Sequence, residues 1–424
     1  MTYLFDDKIR YDDSENLQAF GRLRVADSRI LGDYRFMYGS GTTFELDYIT
    51  SNSASITINY TSVCAVLTTN TVSGSTAIMQ TKQYHPYIPG TGHFGMMTFV
   101  MTTSVSGLTQ SVGTFDDQNG VIFRLRDGTV ELVIRNRGVD REVVAQNAWN
   151  TDRLDGSLTE YNQSGITADW SKAQILAIDY QWLGVGRVRV GFVIDGNPII
   201  VHHFEHSNRT ADVPYMSQPS LPLRWEIKNT TAQTTSHTLT SICGSVQAEG
   251  GDIETGFIRA SSTDGNSVSI TSSNSVYGRG IFAIRLKNTV TNINKPLHAL
   301  ARLKAYSVAS DNDMQFKIAI LPSSSVISST VTWTSISGLG WTEYITDFTL
   351  TSSWATQAMI IDDQFVSGTT NNKLGVAVSD TTENRNSVIF QNHSATDSQI
   401  FAVIGYYLNG NVNARASLKW LEVK

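Results

Sequence analysis

Apolar and polar residues alternate along most of this chain with a period of two, the spacing that places every second side chain on one face of a pleated strand. The clearest case is segment 121–135, in which Asp127-Gly128 separates two alternating runs. An Asp-Gly pair favours a two-residue hairpin turn because both turn positions adopt positive φ. The pattern therefore predicts a β-hairpin whose core face carries Phe123, Leu125, Leu132 and Ile134.

A second hairpin is predicted over residues 187–204, with its turn at residues 195–198. The side chains expected on the buried face of its first strand are Val188, Val190, Phe192 and Ile194. Arg187 and Arg189 alternate with them and are expected to face solvent. Residues 175–182 form a further predicted strand, which enters this hairpin through the glycine turn at residues 184–186.

Short alternating strands separated by Gly and Asn turns, with almost no helical spacing, are typical of all-β proteins in which two sheets cover each other's apolar faces. We therefore predict two antiparallel β-sandwich domains of jelly-roll type, preceded by an extended N-terminal arm. The second sandwich is indicated by renewed alternation at Met314, Phe316, Ile318 and Ile320. The predicted boundaries are residues 1–40 for the arm, 41–248 for the first sandwich, 249–256 for a linker and 257–424 for the second sandwich.

The length and charge of the chain restrict its partners. Its 424 residues suffice for two or three domains. A formal net charge of −6 and the lack of a Lys/Arg run argue against nucleic-acid binding, because phosphate recognition depends on clustered positive charge. No stretch approaches the roughly 18 apolar residues of a membrane span, and the first residues lack the pattern of a signal peptide. We expect neither nucleic acid nor a membrane as a partner.

Paired carboxylates offer one catalytic candidate. Glu45 and Asp47 resemble part of the carboxylate strand of laminarinase and lichenase-type glucanases, but Thr50 stands where the last acid is needed. Without that proton donor, hydrolysis by two carboxylates fails. The acids at positions 249, 252 and 254 have a spacing that suits a solvated turn or a weak calcium site. We predict no catalytic residue and no enzymatic activity.

The sequence contains only weak indications of metal binding or sugar binding. His202, His203 and His206 lie close in sequence, but neighbours on a strand point to opposite faces and do not converge on a metal. Cys64 and Cys243 belong to no Cys/His cluster and are expected to be small buried residues. We therefore predict no metal site and no cofactor. Eight tryptophans could stack on sugars or fill the core, so glycan-binding residues stay unknown.

The first 40 residues combine dense charge with spaced apolar anchors, a pattern that suits an arm lying across a neighbouring subunit. The alternative is an ordinary edge strand folded against its own domain. If the arm docks, its apolar side chains anchor it while guanidinium groups hydrogen-bond across the seam. The candidate subunit-docking residues are Phe20, Arg22, Leu23, Arg24 and Val25. We expect a homo-oligomer, a trimer more than a dimer.

Three segments together resemble uncharacterised virion structural proteins of tailed bacteriophages. They are LQAFGRLRV at residues 17–25, YHPYIPG at residues 84–90 and IDYQWLGVGRVRVGF at residues 178–192. The paired sheets with an Asp-Gly hairpin are also similar to the concanavalin or laminin-G-like jelly roll. That second likeness concerns the fold and carries no function by itself.

The resemblance implies a non-enzymatic structural protein of the virion, in a capsid decoration, collar, tail or fibre. Its expected partners are further copies of itself and other virion proteins. Such a protein is made in the host cytoplasm and resides in the particle, which agrees with a missing export signal. The alternative function is a carbohydrate-binding module for host adhesion, with a cell-surface glycan as its partner.

Overall fold

The structure is a computed structural model that describes residues 17, 19, 25, 27–37, 44–103, 105–157, 159–209, 214–250, 256–290, 295–296, 298–336, 340–369, 372–373, 376–379 and 388–423. The regular secondary structure of the described residues is almost entirely β-strand, as the alternation predicts. The chain divides into two compact units, residues 1–81 with 85–252, and residues 82–84 with 253–424. The division at residues 252 and 253 falls inside the segment predicted as a linker. Among the described residues, no helix has the length and apolar character needed to cross a membrane.

The described strands of the first unit form two antiparallel sheets. Their bounds are β1 Ser28–Arg35, β2 Leu46–Ser51, β3 Ser55–Asn59, β4 Cys64–Thr69, β5 Thr76–Thr81, β6 His93–Met101, β7 Leu108–Phe115, β8 Gly120–Arg126, β9 Thr129–Asn136, β10 Val139–Ala145, β11 Gln174–Tyr180, β12 Val188–Ile194, β13 Asn197–Phe204, β14 Leu223–Asn229, β15 His237–Ser241 and β16 Cys243–Glu249. Sheet A has the order β13-β12-β11-β6-β15-β4-β3, and β16 joins β6 to β1. Sheet B has the order β10-β9-β8-β7-β14-β5-β2.

The core of the first unit lies between sheets A and B. Phe123 of β8 packs between the rings of Phe99 on β6 and Phe192 on β12, at centroid distances of 5.3 and 5.1 Å. All the side chains predicted for the core face of the first hairpin are buried. The turn also agrees with its prediction, since Asp127 and Gly128 have φ of +48° and +90°. In β12, Val188, Val190 and Phe192 are buried as predicted, and Ile194 is half-buried.

The segment predicted as an arm contributes a strand to sheet A. Ser28–Arg35 forms β1 and pairs antiparallel with β16. Tyr34 and Phe36 belong to the core of the first unit. For these residues the edge-strand alternative describes the structure, because their apolar side chains are buried by their own unit. The docking prediction therefore concerns the residues that precede β1.

The second unit contains β17 to β32. Their bounds are β17 Gly256–Ser262, β18 Val268–Ile270, β19 Arg279–Leu286, β20 Thr289–Val290, β21 Lys295–Pro296, β22 Leu300–Ser310, β23 Met314–Leu321, β24 Thr334–Ser335, β25 Thr342–Phe348, β26 Met359–Val366, β27 Gly368–Thr369, β28 Asn372–Lys373, β29 Val376–Ser379, β30 Val388–Ile389, β31 Ile400–Tyr407 and β32 Val412–Val423, with one short helix, α1, at Trp354–Gln357. Within the described residues of both units, single turns of 3-10 helix occur at Gln146–Ala148, Ser272–Asn274 and Ser324–Val326.

The second unit is again a sandwich. Sheet C has the order β17-β32-β22-β29, with β18 on β32 and β30 on β22, and sheet D has the order β24-β25-β19-β31-β23-β26. Tyr306 of sheet C meets Phe316 of sheet D edge to face, with ring centroids 6.1 Å apart. Met314, Phe316, Ile318 and Ile320 are all buried, as the alternation predicts. Trp354 of α1 packs in a further apolar cluster that includes Ala319 and Leu321 of β23.

Candidate functional site

A buried ion pair joins β11 and β12 on the face of sheet A that points away from the core. Asp179 and Arg189 are directly opposite each other in the antiparallel register. The Arg189 Nε atom donates to Asp179 Oδ2 at 3.0 Å, and Nη2 donates to the same oxygen. The two residues are only 2% and 1% exposed. Arg189 was predicted to face solvent. Its side chain does point away from the core, as the alternation requires, but the outer face of the sheet is itself covered at this position.

The N-terminal segment contributes to that cover. Arg189 Nη2 donates to the main-chain carbonyl of Leu17, and Arg187 Nε donates to the carbonyl of Ala19. Leu17 and Ala19 are both buried. We call Leu17, Ala19, Asp179, Arg187 and Arg189 the strap site. It attaches the chain just before the predicted docking residues to β12 and to the residue that precedes β12.

The segment 84–90 packs beside the strap site. The Tyr87 ring lies 6.2 Å from Tyr180 at the end of β11 and 6.1 Å from Trp182. His93 Nε2 lies 3.1 Å from the Pro86 carbonyl, so this nitrogen carries the proton. The Nδ1 atom of the same ring lies 3.2 Å from the Tyr180 hydroxyl. Described residues from all three segments that carry the phage resemblance therefore lie around β11 and β12, with Leu17 and Ala19 representing the first segment.

Burial controls the protonation of this aromatic cluster. It lowers the pKa of His93 to about 3, with a smaller effect from the charge of His85. Burial also raises the pKa of the Tyr180 hydroxyl. Both groups are consequently neutral at physiological pH. A neutral, hydrogen-bonded cluster of this kind holds segments together and provides no charged group for catalysis.

The three neighbouring histidines have separate surroundings. His202 Nδ1 accepts from the main-chain N–H of Asn150 at 3.2 Å, and burial lowers the pKa of His202 to about 4. His203 follows it on the opposite face of β13. The His206 ring stacks on Tyr215 at 4.0 Å, while its nitrogens face the Gly186 carbonyl and Glu142 Oε1 at 2.8 and 2.9 Å. The described residues contain no group of three His, Cys, Asp or Glu placed to hold a metal ion.

His206 also lines an open depression of about 660 Å³. Leu183 and Val185 contribute exposed apolar side chains to it. Arg187 and Glu205 contribute opposite charges, and Ser207 a hydroxyl. The volume is within the range of small-molecule sites, and the mixed lining offers one apolar surface and several hydrogen-bonding groups.

The outer face of sheet B carries a chain of paired charges. Arg124 donates to Glu131 at 2.8 Å and to Asp140 at 2.6 Å, and Arg135 reaches the same Asp140 at 2.9 Å. Burial alone would raise the pKa of Asp140, but hydrogen bonds from the two arginines lower it. The glucanase-like acids are at the other edge of this sheet: Asp47 is opposite Gln80, and Glu45 lies in the turn before β2. The paired charges of Arg124, Glu131, Asp140 and Arg135 therefore stabilise one another.

The predicted docking residues lie mostly outside the described residues. These are Phe20, Arg22, Leu23 and Arg24. Val25 is described and is 86% exposed. Subunit docking through these five positions stays a prediction. Of the acids at positions 249–254, Glu249 ends β16 and is buried, and the other two lie outside the described residues.

Sequence reasoning missed the Asp179–Arg189 pair, although a signal for it is present. If the antiparallel pair is centred on Gly184, the first glycine of the predicted turn, position 179 falls opposite position 189. An acid and an arginine directly opposite each other form a favourable cross-strand pair. The pair is found by reading the two predicted strands together rather than one at a time.

Comparison with known proteins gives a likeness of fold and no family. No protein-family model matches the chain, and no curated protein matches it. Among solved structures, it is similar to a protein of unknown function from Shewanella oneidensis, at 10% identity and a TM-score of 0.36, over 57% of this chain and 94% of that one. It is also similar to a legume lectin-like domain from Entamoeba histolytica, at 11% identity and a TM-score of 0.31, over 51% and 96% of the two chains.

A third similar structure is an endo-β-1,4-glucuronan lyase from the fungus Trichoderma reesei, at 8% identity and a TM-score of 0.32, over 51% of this chain and 95% of that one. A similarity at this level carries no function from these proteins to this chain. The chain is an all-β protein of two antiparallel sandwich units, and its function has to be argued from its own residues.

Proposed function

We propose that this chain is a non-enzymatic structural protein of a tailed-phage virion. One observation supports the proposal: described residues from the three distant segments on which the phage resemblance rests, namely Leu17 and Ala19, Pro86 and Tyr87, and residues 178–192, lie together around β11 and β12. Arg187 and Arg189 bind the first segment, and Tyr180 and Trp182 contact the second. Segments that resemble the same class of proteins and also lie together in the fold are better explained by one shared structural feature than by three unrelated similarities.

The strap site suits assembly because it sets where the docking residues begin. Ala19 is held by Arg187, the residue directly before β12, and the first docking residue, Phe20, follows Ala19 directly in the sequence. Val25, at the far end of the docking residues, is exposed. A short segment tethered at a rigid sheet meets a neighbouring subunit at high effective concentration, so a few apolar anchors are enough for binding.

Incorporation into particles tests this proposal. A phage lacking the gene is complemented with the wild-type chain or with the triple variant Phe20→Ser, Leu23→Ser and Val25→Ser. The matched control is Val139→Ser, which changes an exposed apolar residue on β10. Gradient-purified particles are then analysed by quantitative mass spectrometry.

We expect wild-type and control chains in the particles at equal copy number. The triple variant should be folded and soluble but reduced at least tenfold in particles, since three anchors are lost together. A wild-type chain that is absent from purified particles would refute the virion role. A triple variant at full copy number would refute docking through these residues.

A second candidate function is carbohydrate binding, favoured by the open depression beside His206. Its apolar side chains could face a sugar ring while Arg187, Glu205 and Ser207 bind hydroxyl groups. A glycan array with the purified chain and with Glu205→Ala tests this candidate. Binding of a defined glycan that is lost in Glu205→Ala would support it, and an array without any bound glycan would remove it.

A further inference from the structure

The edge strand β17 of sheet C exposes apolar side chains on both of its faces. Among the described strands it pairs only with β32, through seven consecutive residue pairs without a register shift. Phe257 and Ile258 point to opposite faces and are 60% and 62% exposed. An edge strand that packs only against its own sandwich buries one face, so exposure of both is unusual.

Four other edges of this protein carry features that prevent strand pairing, whereas the edge strand β2 pairs with β5 as regularly as β17 pairs with β32. The pairings of β1, β10, β13 and β26 each contain a register shift. These four strands also carry charges or a proline at their edges, namely Asp33, Glu142, Pro198, Asp362 and Asp363. The short edge β3 is regular, but its Ile56 and Ile58 are half-buried against the core. Strand β17 combines regular geometry, exposed apolar residues and a single charge, Arg259, which leaves its edge suited to pairing.

We propose that β17 pairs antiparallel with β17 of a second copy of this chain, about a twofold axis at Ile258. In this register Ile258 faces Ile258 of the second copy, and Phe257 faces Arg259 of the second copy. The chemistry of the second contact is already present within one chain, where the Arg259 guanidinium lies 5.7 Å from the Phe257 ring centroid.

Charge argues against the register centred one residue further along β17. An axis at Arg259 would place two guanidinium groups directly opposite each other, which destabilises a strand pair. An axis between two residues is excluded by geometry, because directly opposite residues lie on the same face of a sheet and Ile258 and Arg259 do not. With the axis at Ile258, apolar residues meet at the centre and each cation meets an aromatic ring. The residues at β17 are thus complementary to themselves, and this identifies a second copy as the occupant.

The inference extends the assembly role proposed above to the second unit, and it gives a dimer where the sequence favours a trimer. The two proposals fail separately. Particle incorporation depends on residues 20–25, whereas pairing through β17 is measured on the purified chain in solution.

Sedimentation velocity on the full chain tests the pairing. Wild type should associate reversibly to a dimer in the micromolar range. Ile258→Lys places two ammonium groups opposite each other and should raise the dissociation constant about tenfold or more. Phe365→Lys is the matched control, since it adds a lysine in place of a 66% exposed residue on the protected edge β26. The control should dimerise like wild type. Thermal melting of each variant establishes that it is folded.

Cysteine cross-linking tests the register independently. Ile258→Cys brings two thiols opposite each other at a Cβ separation of about 4.5–5.5 Å, close to what a disulfide needs. It should give a covalent dimer under mild oxidation, whereas Phe257→Cys should give far less. A wild-type chain that stays monomeric at 100 µM (about a hundred times the expected dissociation constant) would overturn the proposal. Association that is unchanged by Ile258→Lys, or cross-linking that is equal at both positions, would overturn it as well.

Discussion

The buried pair of Asp179 and Arg189 gives the sharpest stability prediction. Arg189→Met removes a guanidinium that satisfies a buried carboxylate and the Leu17 carbonyl together. Because both side chains are almost completely buried, solvent does not screen the loss. Breaking a buried ion pair from one side costs about 3–5 kcal/mol, and the carbonyl left without its donor adds about 1 kcal/mol. We expect Arg189→Met to destabilise the first unit by about 4–6 kcal/mol.

The double variant separates charge from packing. Asp179→Leu alone leaves the guanidinium buried and should cost about 3–5 kcal/mol. Asp179→Leu combined with Arg189→Met removes both charges and should cost only about 1–2 kcal/mol, because apolar residues of similar size can replace a buried pair. The double-mutant cycle should therefore give a coupling energy of several kcal/mol.

Urea unfolding at pH 7, followed by tryptophan fluorescence, measures these energies. Trp149 and Trp225 report the first unit, and Trp354 and Trp420 report the second. The control is Arg279→Met, which breaks a pair with the more exposed Asp347 and should cost less than about 1 kcal/mol. Single variants that each cost under 1 kcal/mol, or a double variant as unstable as the sum of the two, would refute the account of this pair.

Three further predictions concern pH, a buried carboxylate and the aromatic core. The pKa of His93 is about 3 in the folded state and 6.5 in the unfolded state. The folded state therefore has its full stability above pH 6.5, where His93 is neutral in both states, and loses stability as the pH falls. At pH 4.5 the loss in free energy of unfolding is about 2–3 kcal/mol. His93→Gln should therefore lose less stability than wild type between pH 7 and pH 4.5. A wild-type urea midpoint that is the same at pH 7 and at pH 4.5 would contradict this. Glu422 accepts from Trp341 N, Thr342 N and Thr342 Oγ1, so Glu422→Ala should destabilise the second unit by about 2–4 kcal/mol while leaving the first transition unchanged. Phe192→Ala should cost about 3–5 kcal/mol in the first transition only, and an equal shift in both transitions would show that the units do not unfold separately.

The sequence predicts the sandwich strands well because burial on one face leaves a direct mark in the residue order. Phe123 and Leu125 alternate with Ile122 and Arg124, and the structure places the first two in the core. The Asp127-Gly128 turn is equally local, since positive φ depends on these two residues alone. Such features need no knowledge of distant parts of the chain.

The strap site could not be predicted in the same way. Alternation indicates which side chains of a strand point away from the core, but it does not indicate which part of the chain covers that outer face. Arg189 points away from the core as expected, yet main chain 172 residues earlier accepts its hydrogen bond. The same limit applies to β1. Its charged positions suggest an arm, but pairing with β16 is decided by a strand more than 200 residues further along the chain.

The central claim is that this chain assembles into a virion through residues that follow the strap site. A cryo-electron microscopy map of purified particles of the phage that encodes this chain, with the chain traced in the map, tests that claim most directly. We predict symmetry-related copies in the particle, Leu17 and Ala19 held by Arg189 and Arg187, and side chains of residues 20–25 in contact with a neighbouring subunit. Particles without this chain, or residues 20–25 packed wholly against their own sandwich, would contradict the account.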